Sequence, residues 1–449
     1  MVHTFSFDGD IIVVDAGSGS IHITDAVARD AIVRFADNVS RDDIARELLQ
    51  THDNLTQSDI DELFADIDAL RDAGQLFAPD VTELVPPQSD NVIKALCLHV
   101  AHACNLRCDY CFAGQGQYHG EVQLMTADTA RRAIDFLIAH SGDRRNLEVD
   151  FFGGEPLLNF DVVRETVAYA RSLESLHGKL FRFTLTTNGV LLDDAVTDFC
   201  NAEIANVVLS LDGRRETNDA RRKTPDGGGS YDTIVPKFQR FAERRGDRGY
   251  YLRGTYTREN TDFVDDILHM ADLGFTELAM EPAVLPRDHK LALQASDMPQ
   301  LFAQYERLAR EMARRDDEGR GFTFYHYMLD LENGPCAVKR ARGCGSGSEY
   351  FAVAPDGTLY PCHQLVGEPQ FVSGDVSGGV KSGFTFRRRD LNERAECRDC
   401  WAKLWCAGGC AANAYHDAGD VDGVHAFGCE LYKKRLECAI WLNTMSINS

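Results

Sequence analysis

The run Ala95-Leu96-Cys97-Leu98-His99-Val100-Ala101-His102-Ala103-Cys104-Asn105-Leu106-Arg107-Cys108-Asp109-Tyr110-Cys111 joins an apolar segment directly to three cysteines. Short apolar runs of this kind, ended by turn residues, read as strands, here from Lys94 to Val100. The cysteines follow with three and then two residues between them. Thiolates so spaced can wrap one face of a [4Fe-4S] cube and leave its fourth iron without a protein ligand. The other reading is structural zinc, which wants four ligands. His99 and His102 lie nearby, and His102 could complete a site of three thiolates and one imidazole.

Downstream, strand patterns at Leu147 to Phe152, Phe181 to Thr186, Asn206 to Leu211, Tyr250 to Tyr256 and Glu277 to Met280 alternate with helical stretches. Among the latter are Thr126 to His140, Asp161 to Leu176, Asp193 to Asn201 and Thr261 to Leu273. Six strands with five connections predict an α/β fold, a parallel sheet curled into an open (β/α)6 barrel. Such barrels carry their chemistry at the strand C-termini. There the sequence places Gly153-Gly154-Glu155-Pro156, Thr186-Thr187-Asn188-Gly189 and Ser210-Leu211-Asp212-Gly213. Glycines let a ligand approach the backbone, and the carboxylate of Glu155 beside them could hold the ammonium of a bound amino acid.

The flanks differ in pattern. Phe5 to Phe7, Ile11 to Val14 and Ile21 to Ile23 read as a small hairpin sheet. Helices follow: one capped by Asp25, one by Ser40 with Ile44, Leu48 and Leu49 inward, and one from Ser58 to Ala73, closed by Gly74. Val85-Pro86-Pro87-Gln88-Ser89 reads as a linker. From about Gly321 the alternation gives way to Cys, Gly and turn residues until a helical run from Glu430 to about Thr444. A region so poor in long apolar segments needs staples, which metal clusters can supply. The expected domains are therefore 1–88, 89–320 and 321–449.

Composition narrows the class. At 449 residues the chain is long enough for several domains. Its formal charge of -23 opposes binding to nucleic-acid phosphates and suits a neutral or basic partner. No run approaches the roughly 18 apolar residues of a membrane span, and Met1 to Asp10 lacks the pattern of a signal peptide. A cytoplasmic location is expected, and 14 cysteines in short spacings then point to ligation rather than disulfides. Cys97, Cys200 and Cys438 stand alone in apolar surroundings and read as small buried hydrophobes.

The motifs CxxxCxxC, GGEP, TTNG and SLDG, in this order, resemble radical S-adenosylmethionine (SAM) enzymes that modify peptides, over nearly all of residues 92–449. The resemblance implies Cys104, Cys108 and Cys111 as ligands of a SAM-binding [4Fe-4S] cluster, and Gly153, Gly154 and Glu155 as contacts to the methionyl amine. Asn188, Ser210 and Arg222 are implied as further SAM neighbours. Cys344, Cys362, Cys397-x2-Cys400-x5-Cys406-x3-Cys410 and Cys429 resemble the SPASM domain, whose two auxiliary [4Fe-4S] clusters take interleaved ligands. Carried over, Cys344, Cys362 and Cys410 serve one, and Cys397, Cys400, Cys406 and Cys429 the other. Cys336 either completes the first of these or leaves an iron open to a substrate thiolate. A pair of four-thiolate zinc sites is the alternative. The first 88 residues resemble the PqqD-like, winged-helix element that takes a leader peptide as an added strand; a plain structural cap is the other reading.

Within this group, Ala95 to His102, Val149 to Leu157 and Phe322 to Met328 look much like maturases of SCIFF peptides, which join a Cys sulfur to a Thr carbon. That implies a Cys-rich precursor with a leader as partner, and a flavodoxin or ferredoxin as electron donor. The runner-up is an anaerobic sulfatase maturase making formylglycine. That family carries Asp immediately after the cysteine equivalent to Cys362, where His363 stands here; His363 is then a candidate proton acceptor or a hydrogen-bonding neighbour of the cluster. A non-catalytic iron-sulfur or zinc protein that binds peptides or relays electrons is the alternative from another class.

Overall fold

Side-chain caps set the N-terminal helices in register with their sheet. The computed structural model describes residues 1–84, 92–331, 340–341, 343–386 and 391–447; the expected linker and Cys336 lie outside them. Strands β1 (Val2–Phe7), β2 (Asp10–Asp15) and β3 (Ile21–Thr24) form an antiparallel sheet in that order. Helices α1 (Ala26–Ala36), α2 (Arg41–Thr51) and α3 (Gln57–Asp72) cover it, with Asp25 and Ser40 accepting from the backbone N–H groups of Ala28 and Asp43. The third helix starts before Ser58 because Thr56 and Asp59 close a reciprocal capping box. Ile44, Leu48, Ile60, Phe64 and Ile67 fill the small core. Leu49, expected inward, is 40% exposed: the Ile44–Leu48 stripe faces the sheet, and the next residue is turned about 100° away from it.

The central region begins with β4 (Ala95–His102), whose eight residues are all buried. A two-residue strand, β5 (Gln123–Leu124), pairs back on it antiparallel. Then α4 (Ala127–His140), β6 (Asn146–Gly153), α5 (Phe160–His177), β7 (Leu180–Thr187), α6 (Asp194–Glu203), β8 (Asn206–Ser210), α7 (Arg215–Arg221), α8 (Tyr231–Arg245), β9 (Gly249–Tyr256), α9 (Phe263–Asp272) and β10 (Glu277–Pro282) follow. Strands β4, β6, β7, β8, β9 and β10 are neighbours in that order, each pair parallel. This is the mostly parallel α/β sheet expected of a partial barrel. Alternation runs one unit further, through α10 (Met298–Asp317) to β11 (Thr323–Phe324) beside β10.

The Cys-rich third region extends this sheet. Strand β12 (Tyr350–Val353) lies parallel to β4, with Tyr350 opposite Ala95 and Val353 opposite Leu98, and β13 (Thr358–Tyr360), β14 (Gly374–Asp375) and β15 (Gly379–Val380) continue antiparallel. The final helix, Ala426–Ile447, starts earlier than Glu430 and packs along α10. It also seats the N-terminal sheet: Trp441 Nε1 donates to Asp10 at 3.0 Å, His3 meets Glu437 at 2.9 Å, and Phe7 packs 4.5 Å from the Trp441 ring. Edge strand β1 thus lies against the rest of the chain, whereas β3 pairs only with β2 among the described residues. Among those residues no helix is long and apolar enough to cross a membrane.

Phe7 is 3% exposed at this seam. Phe7→Ala should cost about 3 kcal/mol through the cavity it leaves, read as an earlier denaturant midpoint with an N-terminal probe. An unchanged midpoint would show that the seam carries no stability.

Candidate active site

The C-terminal ends of β4 and β6 are fastened together. Gly154 and Glu155 donate their backbone N–H groups to the carbonyls of Ala101 and Ala103, each at 2.8 Å. This apposition leaves no room for side chains. A Cβ at Gly153, whose φ is +130°, would sit 2.3 Å from Ala101 O, and one at Gly154 would sit 2.1 Å from Ala103 O. The Cys104 to Cys111 loop is thereby pinned across the strand tips. Gly116, which the sequence reading passed over, packs with its Cα 3.0 Å from where a Gly154 Cβ would stand; the Ala113-Gly114-Gln115-Gly116 spacing was its only signal.

Glu155 is 1% exposed. Its oxygens accept from Leu157 N (3.0 Å), Thr187 Oγ1 (2.8 Å) and Asn188 N (2.8 Å), which ties the tip of β6 to that of β7. Burial pushes its pKa up to about 7 against those hydrogen bonds. Asn188 then reaches the cysteine loop, donating to Asn105 Oδ1 at 2.7 Å and approaching Cys104 Sγ at 3.7 Å. Arg222 is 8% exposed, not a surface charge. It pairs with fully buried Asp212 at 3.0 Å, and Asp212 also accepts from Tyr110 at 2.7 Å. Burial would lower the pKa of this guanidinium, and Asp212 more than offsets that.

Cys104, Cys108 and Cys111 line one cavity of 580 Å³ together with Gly153, Gly154, Glu155, Asn188, Ser210 and Arg222. Burial raises Cys104 to about 11, with Glu155 and Cys111 adding to it, and raises Cys108 to about 12 against the pull of Arg222. Thiols this basic stay protonated at neutral pH unless a metal takes the proton's place. His102 stacks on Tyr118 at 4.6 Å and turns Nε2 toward His99 Nδ1 at 3.4 Å. Among the described residues no three His, Cys, Asp or Glu side chains, the cysteine trio included, are drawn together as closely as a single metal ion requires. Three partly buried sulfur donors beside a glycine turn and a carboxylate fit a cluster and an amino-acid-bearing cofactor.

The described thiols between Cys344 and Cys429 influence one another in two groups. Burial, then Cys410 and Cys344, raise the pKa of Cys362. Burial raises Cys429 to about 11, with Cys406, Cys397 and Cys400 adding to it. Cys406, Cys410 and Cys429 open onto the same cavity as the first trio. So does His363, whose Nδ1 lies 3.1 Å from Tyr350 OH and 3.8 Å from Cys362 Sγ, and which burial, then Arg253, lowers to about 4. Cys97, Cys200 and Cys438 are at most 2% exposed, away from that cavity's lining.

Residues 98–271 match the model of the radical SAM superfamily. The radical SAM cyclopropyl synthase TigE of Paramaledivibacter caminithermalis is 26% identical over 76% of this chain and 72% of its own. A serine-type anaerobic sulfatase-maturating enzyme of Klebsiella aerogenes is 24% identical over 73% of this chain and 82% of its own. Among solved structures, native anSMEcpe with bound AdoMet and Kp18Cys peptide superposes with a TM-score of 0.65 at 19% identity, covering 80% of this chain and 99% of that one. That likeness speaks to fold alone.

Gly154→Ala should lower cofactor cleavage by more than about 10-fold, because a 2.1 Å contact with Ala103 O must be relieved by moving the cysteine loop. Full cleavage by Gly154→Ala would contradict the pinned loop.

Proposed function

We propose that this chain, which carries a radical SAM domain at residues 98–271, is a maturase that forms Cys-to-Thr thioether crosslinks in a Cys-rich, ribosomally made precursor of the SCIFF type. The observation that supports it is one cavity lined by the Cys104, Cys108 and Cys111 thiols, the Gly153 to Glu155 turn and the thiols of Cys406, Cys410 and Cys429. When bound, SAM on a [4Fe-4S] cluster supplies a 5'-deoxyadenosyl radical on reduction by a flavodoxin or ferredoxin, and two auxiliary clusters supply a place for the electron released as sulfur joins carbon.

The chain's own residues then have positional tasks. Cys104, Cys108 and Cys111 would hold the first cluster. Gly153 and Gly154 bring main chain close to the methionyl group, and Glu155, one oxygen of which accepts only from Asn188, keeps acceptor capacity for its amine. Asn188, Ser210 and Arg222 line the space beside it. Cys344, Cys362 and Cys410, with Cys336 as a further candidate, would hold one auxiliary cluster; Cys397, Cys400, Cys406 and Cys429 would hold the other. His363, neutral at pH 7, faces the cavity with its Nδ1 beside Tyr350 and serves as a weak proton acceptor or a neighbour of the Cys362 cluster. The first 88 residues would take the precursor's leader along β3, the edge left unpaired among the described residues.

Formylglycine formation is the second reading, favoured by the likeness in sequence to the serine-type anaerobic sulfatase-maturating enzyme of Klebsiella aerogenes. Against it, His363 stands where the sulfatase-maturase pattern carries Asp.

Anaerobic incubation of the reduced holoenzyme and SAM with a Cys-rich peptide encoded beside its gene should remove two hydrogens per bridge and retain every sulfur, by mass spectrometry. Replacing Cys104, Cys108 and Cys111 by Ala should abolish the change. Loss of a sulfur would favour formylglycine chemistry, and 5'-deoxyadenosine release with an unaltered peptide would contradict the thioether reading.

A further inference from the structure

The mechanism above leaves one wall of the cavity without a task. Arg253 on β9, Glu281 on β10 and Arg435 on the C-terminal helix all line it, with Tyr305 and Tyr432. Glu281 pairs with His326 at 3.0 Å and with Arg435 at 3.8 Å. Burial would raise this carboxylate, but His326, Arg435 and Arg253 hold it down to about 2, so it is ionised. Its side chain, which lines the cavity, is 45% exposed. Two guanidiniums therefore stand against one carboxylate, a surplus of positive charge inside a molecule whose formal charge is -23.

Their hydrogen bonding is incomplete. Each guanidinium carries five N–H donors, and both side chains are only partly buried where they line the cavity, open to an acceptor that a ligand brings. Among the described residues Arg253 makes neither a hydrogen bond nor an ion pair, and Arg435 makes only the long contact to Glu281 and a cation–π contact to the Tyr432 ring at 5.2 Å. Arg222, by contrast, is already committed to Asp212 at 3.0 Å. Guanidinium is weakly hydrated and matches carboxylate oxygens two at a time, and a cleft of one charge sign concentrates the field on such a group.

We propose that Arg253 and Arg435 form a subsite for a side-chain carboxylate, an Asp or Glu of the substrate close to the residue that is modified. The subsite rests on the reading of the chain as a peptide maturase and adds what that peptide must carry. The acidic exterior repels carboxylates, so the subsite selects one only where the chain enters the cavity. Arg253 stands opposite Ser210 in the β8–β9 register, which sets the subsite beside the space assigned to SAM.

The test uses anaerobically reconstituted, SAM-loaded holoenzyme. N-acetyl-aspartate N-methylamide and its asparagine counterpart are titrated separately, with binding followed by calorimetry. The aspartate compound should bind at least about 10-fold more tightly. Arg253→Gln and Arg435→Gln should each reduce that preference to about 2-fold or less, and Arg253→Lys and Arg435→Lys should retain part of it, because charge survives and the fork does not. Should Arg435→Gln fail to fold, the Arg253 pair decides. Equal binding of the two compounds, no binding of either, or a preference that survives both Gln variants would overturn the subsite. A fall in SAM affinity with the aspartate preference intact would overturn it too, assigning the arginines to the cofactor. Failure of the peptide reading shows separately, as unaltered mass of a Cys-rich peptide.

Discussion

Two main-chain hydrogen bonds, from Gly154 and Glu155 to Ala101 and Ala103, decide where three cysteines stand. They extend the pairing of two buried strands past their ends, so the loop carrying Cys104, Cys108 and Cys111 inherits the rigidity of the sheet. Glycine at positions 153 and 154 is a steric requirement of that closeness. Glu155 then passes the constraint to β7 through Thr187 and Asn188, and Asn188 returns it to the cysteine loop through Asn105. Catalytic precision of this kind is more readily built on strand ends than on free loops.

Electrostatics gives the site its dependence on metal. Most of the thiols are at least partly buried, and burial lifts the pKa values of Cys104, Cys108 and Cys429 far above neutrality. Ionising several of them in one place without a cation would cost too much, so cluster loading and the final packing of these regions are coupled. The cavity between the thiol groups is varied in charge: Arg222 is neutralised by Asp212, while Arg253 and Arg435 outnumber Glu281. Placing that cationic wall beside the neutral His363 gives the cavity a polarity that the net charge of the chain does not foretell.

Much of this was legible in the sequence because it is local. Cysteine spacing, the polar tips after each strand and the Asp25 and Ser40 caps all act within a few residues. The sheet order followed from alternation, since consecutive parallel strands with helical crossovers have few ways to connect. What escaped was non-local or fine-grained. Leu49 lies one residue beyond the buried stripe, a distinction only the helix orientation sets. Strand β12 joins β4 across more than half the chain, and the short run around Tyr350 carries no sign of its partner. Arg253, Glu281 and Arg435 come from two strands and a terminal helix, and no pattern in the sequence announces that they meet.

The central claim is that the Cys104, Cys108 and Cys111 site leaves one iron for the cofactor. Electron–nuclear double resonance on reduced protein whose third-region cysteine ligands are replaced, loaded with SAM labelled with 15N at the methionyl amine, tests it directly. The account predicts a hyperfine coupling between that nitrogen and the cluster. A four-iron cluster without this coupling, or zinc in place of iron, would contradict it.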